Sequence, residues 1–238
     1  MLNLTFTDSF SSVSKNRIEF PSSYAARKVQ SPPAINGSLE DWQLELFQSV
    51  SGLDRLKINH DGVFGGDADL SFRFAVQYDE NALYIALKVR DDSHCQELWD
   101  SDSWKEDSMQ VGIALHPEGS DWKLFHKFCF ALSTKVKDGV MGFRHNGTPE
   151  FPPGKPAQDI VRHSVKREGD ETVYEIAIPW NSMEKSLKTF PDEKIIGLGI
   201  FVNDVDVING VKGKRKAMEA FGGMGYTLPK DFGKIMLK

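Results

Sequence analysis

Hydrophobic and polar residues alternate along most of this chain with a period of two. The clearest case runs from Asp107 to His116. Met109, Val111, Ile113 and Leu115 fall on one side, and Ser108, Gln110, Gly112 and Ala114 on the other. That is the pattern of a strand with one face in a core. The other face carries an amide followed by two very small residues, which leaves room for another segment or for a ligand. Trp104 stands just before the strand, among Asp100, Asp102, Lys105, Glu106 and Asp107. A large aromatic ring in so polar a setting calls for a reason.

The same period recurs elsewhere. Residues 70–78 and 82–90 predict a hairpin turned at Asp79-Glu80-Asn81. Residues 122–133 alternate again. Residues 159–166 and 172–179 predict a second hairpin, turned at Glu168-Gly169-Asp170. Residues 195–203 read as a buried strand, and 214–221 and 232–237 as the last two. The Gly and Pro clusters of 134–156, including Phe151-Pro-Pro-Gly154, predict a long loop with at most one short strand. One helical turn is expected over 181–188, with Asn181 as its cap. Trp42, Leu44, Leu46 and Phe47 lie on a short amphipathic segment and are available for a core. Many short strands separated by turn signals, with almost no helix, mean an all-β fold, a sandwich or a barrel.

Ser31-Pro32-Pro33 is stiff, extended punctuation. It divides an unassigned lead-in, residues 1–31, from a domain over 32–238. The 238 residues suit one large β domain. A formal charge of −5 with no basic stripe argues against nucleic acid. No stretch approaches the roughly 18 apolar residues of a membrane helix, so membrane insertion is not expected. The N-terminus lacks a basic region followed by an apolar one, as a signal peptide would have. Cys95 and Cys129 are the two cysteines, and free thiols are favoured over a single disulfide. Asn-x-Ser/Thr triplets at Asn3, Asn36 and Asn146 matter only in a eukaryotic secretory pathway.

Several spaced motifs resemble one family. Pro33-Ala-Ile-Asn-Gly-Ser-Leu-Glu-Asp-Trp42 is similar to an opening P-x-I-D-G-x-L-D-x-W. Tyr78-Asp-Glu-Asn-Ala-Leu-Tyr-Ile85 is similar to W-D-D-E-N-L-Y-L. Val89-Arg-Asp-Asp92 followed by Trp104-Lys-Glu-Asp-Ser108 is similar to V-x-D-D … W-x-x-D-S. Glu175-Ile-Ala-Ile-Pro-Trp180 is similar to E-x-A-I-P-W, and Val202-Asn203-Asp204, Arg215 and Phe232-Gly233 to V-N-D … R … F-G. Together they resemble the family 9 carbohydrate-binding modules and their DOMON-like relatives, over about residues 32–238.

The resemblance implies an antiparallel, jelly-roll-like β-sandwich that grips sugar between two tryptophans, often at the reducing end of a chain, with bound calcium. Trp104 matches the first tryptophan. The second corresponds to Phe221, a smaller platform, and the glycine-rich loop after it offers Tyr226 as another. A glutamate that hydrogen-bonds the sugar corresponds to Gln110. A basic residue expected on the next strand maps to Lys127 or His126, with the register left open. Arg215 and Asn203 complete the expected site. Asp91, Asp204 and Asp206 are the candidate calcium ligands, hard oxygens without EF-hand spacing.

The implied activity is non-catalytic carbohydrate binding, serving to hold an attached or partner glycoside-active enzyme at a polysaccharide, in an extracellular, periplasmic or cell-surface setting. The residues agree in lacking catalytic motifs: there is no G-x-S-x-G and no glycine-rich phosphate loop, and Glu106 and Asp107, as strand neighbours, point apart. His94-Cys95 and His126 with Cys129 lack zinc spacing. Two other readings stand. DOMON-like relatives bind haem, for which Met109, His126, Lys127 and Met218 are available as axial ligands, although Met109 falls on the core side of its strand. A structural sandwich with a lost sugar site is the third.

Overall fold

The computed structural model describes residues 24–60, 62–119, 121, 125–185, 194–221 and 228–238. Its strands, in chain order, are β1 (Tyr24–Lys28), β2 (Gln48–Val50), β3 (Leu56–Asn59), β4 (Leu70–Tyr78), β5 (Ala82–Asp91), β6 (Ser108–Ala114), β7 (His126–Leu132) and β8 (Val140–Asn146). They continue with β9 (Lys155–Pro156), β10 (Arg162–Glu168), β11 (Glu171–Pro179), β12 (Ile195–Asp204), β13 (Val207–Ile208), β14 (Val211–Lys212), β15 (Lys216–Ala220) and β16 (Gly233–Leu237). Helix is confined to short 3₁₀ turns among the described residues.

Two sheets form the sandwich. One runs β10-β11-β5-β4, and the far edge of β4 is shared by β2 and β1. The other runs β16-β12-β6-β7-β8-β9; past Leu198, β12 exchanges β16 for β15, which carries β3 on its outer edge. β1 belongs to both. Its residues Tyr24–Ala26 pair in parallel with β16, and Arg27 and Lys28 pair in parallel with β4. The sandwich therefore includes a strand ahead of Ser31-Pro32-Pro33, in the segment that the sequence left unassigned.

Alternation explains the core. Phe72, Phe74, Val76 and Tyr78 of β4 and Leu83, Ile85, Leu87 and Val89 of β5 face Met109, Val111 and Ile113 of β6 and Ile196, Leu198, Ile200 and Val202 of β12. Asp79 closes the β4–β5 turn. Its Oδ1 accepts the backbone N–H groups of Asn81 and Ala82, at 2.7 and 2.9 Å, and its Oδ2 accepts the Tyr84 hydroxyl. The β10–β11 hairpin turns at Gly169, whose φ of +57° lies in the left-handed region. Both hairpins match the sequence pattern.

Three segments differ from it. Residues 134–156 contain β8, a seven-residue strand that the Gly and Pro clusters beside it obscure, paired with β7 except at a bulge that skips His145. The turn after β11 is a 3₁₀ turn at Trp180–Ser182, entered from Pro179 rather than capped by Asn181; the rest of the expected 181–188 helix reaches beyond the described residues. The hairpin β13–β14 is too short to have left an alternating signal. Cys95 and Cys129 are free and buried. No helix among the described residues is long and apolar enough to cross a membrane.

Candidate functional site

The outer face of β6 is not open to solvent along its length, because a 3₁₀ turn, Asp100–Lys105, lies across it. The Ser103 hydroxyl anchors this turn by reaching Cys129 Sγ on β7 at 3.3 Å, and Gln96 Nε2 donates to the Ser103 carbonyl at 2.8 Å. Cys129 is the direct neighbour of Gln110 in the β6–β7 register. The turn thus lays Ser103 over the Gln110–Cys129 pair and presents Trp104 as the next residue.

The floor next to it is made of small residues. Gly112 pairs with Gly199, and Ala114 with Gly197, and Phe125, Phe201 and Phe232 pack together over the Ala114 end of this face.

Polar groups converge from three sides. Arg215 sits with its guanidinium 4.5 Å from the centre of the Trp104 ring, and its Nη1 donates to the Trp104 carbonyl and to Asn203 Oδ1, each at 3.3 Å. Asn203 Nδ2 in turn donates to Ser108 Oγ at 3.0 Å. On the other side stands Lys127, opposite Gly112 in the register and therefore on the Gln110 face. Burial lowers the Lys127 pKa, and the charge of Arg215 lowers it further. Beyond Lys127, His145 carries a buried Nε2 with no hydrogen-bond partner. Burial, with the Lys127 charge added, pulls its pKa down to about 4, so the ring is neutral at pH 7. The sequence reading missed His145, because β8 was hidden in a segment that looks like loop. Once β8 is placed, alternation puts His145 and Phe143 on this face.

The register separates the two basic candidates. His126 pairs with Ile113 and faces inward. It stacks on Phe128, bonds the Met183 carbonyl through Nε2 at 3.0 Å, and is buried. Lys127, one residue on, points the other way by strand alternation.

Phe221 is not at the slot. Along β15, Ala217 and Glu219 face outward, and continued alternation would put Phe221 beside them. Its φ of +69° breaks the alternation. The ring turns between the sheets and packs edge-on against Phe74 at 4.9 Å and Tyr24 at 5.5 Å. Gly233 makes this placement fit, since a Cβ there would come within 2.6 Å of the Phe221 carbonyl oxygen. Phe221 is a core residue, not a stacking platform. Tyr226 lies outside the described residues.

A family model described as "carbohydrate family 9 binding domain-like" matches residues 45–238. The chain belongs to the carbohydrate family 9 binding domain-like family. Its fold is similar to that of a family 9 carbohydrate-binding module from Caldicellulosiruptor kristjanssonii in complex with glucose, with a TM-score of 0.63 and 16% identity over 90% of this chain and 96% of that one. The same holds for that module in complex with cellotriose, at the same TM-score and identity, over 91% and 93%. A putative carbohydrate-binding protein from Bacteroides uniformis gives a TM-score of 0.57 at 14% identity, over 91% and 99%. At such identities the likeness is one of fold. No curated protein matches the chain.

In this family 9-like domain the carboxylates expected to hold calcium already have cations of their own. Lys216, almost wholly buried, puts its ammonium against Asp69, 3.0 Å from Asp204 and 2.6 Å from Asp206. Burial pulls the Lys216 pKa down, and the three carboxylates more than offset it, leaving it raised. Asp91 is held by Arg167 at 3.0 Å. Asp107 accepts from Cys95 N and Val205 N, each at 2.7 Å, and pairs with His94. Asp204 lies against Lys216, although neither of its carboxylate oxygens has a hydrogen-bond partner. Asp91, Asp92 and Asp206 form a further group, although Asp91 and Asp206 keep their Arg167 and Lys216 partners. They offer ligand atoms within 4.8 Å of one another, Asp92 is exposed, and Asp206 Oδ1 has no partner.

The haem reading finds no support in this geometry. Met109 and Met218 lie in the filled core between the sheets, His126 faces inward, and Lys127 is on the opposite face.

Proposed function

We propose that this domain binds carbohydrate, without chemistry, in the slot formed by Trp104, Gln110, Lys127, His145, Asn203 and Arg215. The observation that carries this is the half-buried Trp104 ring, backed by Arg215 and joined through it to Asn203, next to the polar face of β6 and β7. An indole covers the C–H face of a sugar, and the side chains around it meet the hydroxyls. The backing guanidinium fixes the ring before binding, which limits the entropy lost when a ligand arrives. The complexes of glucose and cellotriose with the similar Caldicellulosiruptor module support the choice of ligand class. One aromatic platform is assigned where the resemblance implies two.

The role that follows is to hold an attached or partner glycoside-active enzyme close to a polysaccharide, raising its effective concentration, in an extracellular, periplasmic or surface setting. Calcium at Asp91, Asp92 and Asp206 would compete with Arg167 and Lys216, and would tie the end of β5 to the turn after β12 and so join the two sheets. Hard carboxylate oxygens suit that ion. Titration calorimetry with glucose and cellotriose, on the wild type and on folded Trp104→Ala, tests the reading. Binding by the wild type alone supports it. Equal binding by both proteins moves the site elsewhere, and binding by neither points to a structural sandwich.

A further inference from the structure

Among the described residues Trp99 is the one phenylalanine, tyrosine or tryptophan that stands exposed, with 42% of its surface open. Tryptophan is on average a well-buried residue. This indole makes no hydrogen bond and no ring contact among those residues. The backbone beneath it is nonetheless held firmly. Glu106 Oε2 accepts the N–H groups of Glu97 and Leu98, at 2.6 and 3.1 Å, and Gln96 Oε1 accepts the Leu98 N–H as well, at 3.1 Å. Lys212 donates to Glu106 and, at 3.0 Å, to Glu97. Residues 97–106 therefore form a loop closed at its neck. Trp99 lies two residues inside one end and Trp104 two residues inside the other. Between them runs the 3₁₀ turn Asp100–Lys105, closed at its start by the Asp102 N–H donating to the Trp99 carbonyl at 3.1 Å. At the usual rise of such a turn the two tryptophans are about 10 Å apart along the chain.

We propose that Trp99 is a second stacking platform, an outlying subsite for a further residue of the same glycan chain whose first sugar lies on Trp104. This rests on the reading that the Trp104 slot binds sugar. A pyranose ring offers an apolar C–H face, which an exposed indole covers, and the indole N–H is left to donate to a hydroxyl. The pinned backbone sets the ring in place before a ligand arrives, and tryptophan has just two side-chain torsions to order, so little entropy is lost on binding. A single sugar ring is too short to lie on both platforms. Trp99 therefore selects for chain length and is idle towards a monosaccharide.

The experiment is titration calorimetry of glucose, cellobiose and cellotriose on the whole chain, as wild type, Trp99→Ala and Trp99→Phe. The wild type is expected to bind cellotriose more tightly than glucose. Trp99→Ala should weaken cellotriose binding by about threefold to tenfold, the size of one aromatic contact, and leave glucose binding as it was. Trp99→Phe keeps a ring and should retain part of the difference. Cellotriose bound no better than glucose by the wild type, or equally well by wild type and Trp99→Ala, overturns the proposal and leaves sugar binding in the slot standing. Equal weakening of glucose and cellotriose by Trp99→Ala overturns it too, because Trp99 then acts through the slot and not as a separate subsite. Binding of none of the three sugars by the wild type overturns both readings.

Discussion

Arg215 holds its guanidinium over the ring of Trp104, 4.5 Å from the ring centre, and uses the same group to reach the Trp104 carbonyl and Asn203. One side chain thus fixes a ring, the backbone beneath it and an amide on β12. Cation–π contact at a half-exposed site is worth about 1 kcal/mol. Its larger effect here is to hold the indole in one place.

Two substitutions separate these effects. Trp104→Ala is expected to weaken sugar binding by about 30-fold or more, the size of a central aromatic contact of about 2 kcal/mol. Arg215→Ala leaves the ring but not its support, and a loss of about fivefold to tenfold is expected from the missing contact of about 1 kcal/mol. Calorimetry gives both values. An Arg215→Ala protein that binds every sugar as the wild type does would remove Arg215 from the site.

The buried ammonium of Lys216 makes a second prediction. Asp69, Asp204 and Asp206 share this one cation. Lys216→Met keeps most of the side-chain volume and removes the charge. Breaking a buried pair by deleting one partner costs about 3–5 kcal/mol, which urea unfolding would read as a large drop in midpoint. Added calcium should recover part of that loss in the variant and less in the wild type, since only the variant lacks an internal cation there.

The strands were legible because one face of each is buried, which forces period two into the sequence. β4, β5, β6, β10, β11 and β12 follow it. The motifs were legible for a related reason: most of them hold the fold rather than the ligand. Asp107 ties Cys95 to Val205, Asp79 shapes a turn, Trp180 Nε1 donates to the Asp79 carbonyl at 2.9 Å, and Gly233 admits the Phe221 backbone. The site was less legible. Placing Phe221 depended on a single left-handed φ, which no periodicity reports. His145 depended on a strand masked by its Gly and Pro neighbours. The choice between His126 and Lys127 depended on register, which alternation alone cannot set until a neighbouring strand is fixed.

Glu175 shows the structural use of a motif residue and carries a third prediction. It is fully buried and accepts three hydrogen bonds from one distant segment: Trp42 Nε1 at 2.7 Å, Asn36 N at 2.9 Å, and Gly37 N. Two motifs more than a hundred residues apart are thereby one unit, with Trp42 packed on Ala75, Tyr84 and Ala177. Hydrogen bonds to a charged acceptor contribute about 1.5–3 kcal/mol each and do not simply add. Glu175→Ala, which leaves all three donors unpaired, is expected to cost at least about 3 kcal/mol in urea unfolding. Glu175→Gln, which keeps one acceptor oxygen, should cost less. Sugar affinity in the folded fraction should not change, because the unit lies on the other sheet.

The pH dependence of stability follows from two buried groups with opposite signs. Burial, and then the neighbouring Asp107, push the Asp204 carboxyl up to about 9 against the pull of Lys216, with Asp91 and Asp206 adding to the rise. The folded protein therefore keeps a proton there that the unfolded chain releases near its ordinary value of 3.8. Its contribution is fully present below that value and is lost as pH rises towards 9. His126 works the other way. Burial, and then the Arg144 charge, pull it down to about 4, so the folded state excludes a proton that the unfolded chain binds below 6.5. That contribution is present above 6.5 and is lost as pH falls towards 4. The two opposite slopes overlap between about pH 4 and 6.5 and cancel there, so stability should be level over that range and fall from about pH 6.5 towards 9. Calorimetric Tm values across this range test it. Asp204→Asn should remove the alkaline fall and uncover a loss below pH 6.5, and His126→Gln should extend the alkaline fall down to about pH 4. A Tm that rises steadily from neutral pH to 9 would show that Asp204 is ionised in the fold and that Lys216 controls its charge.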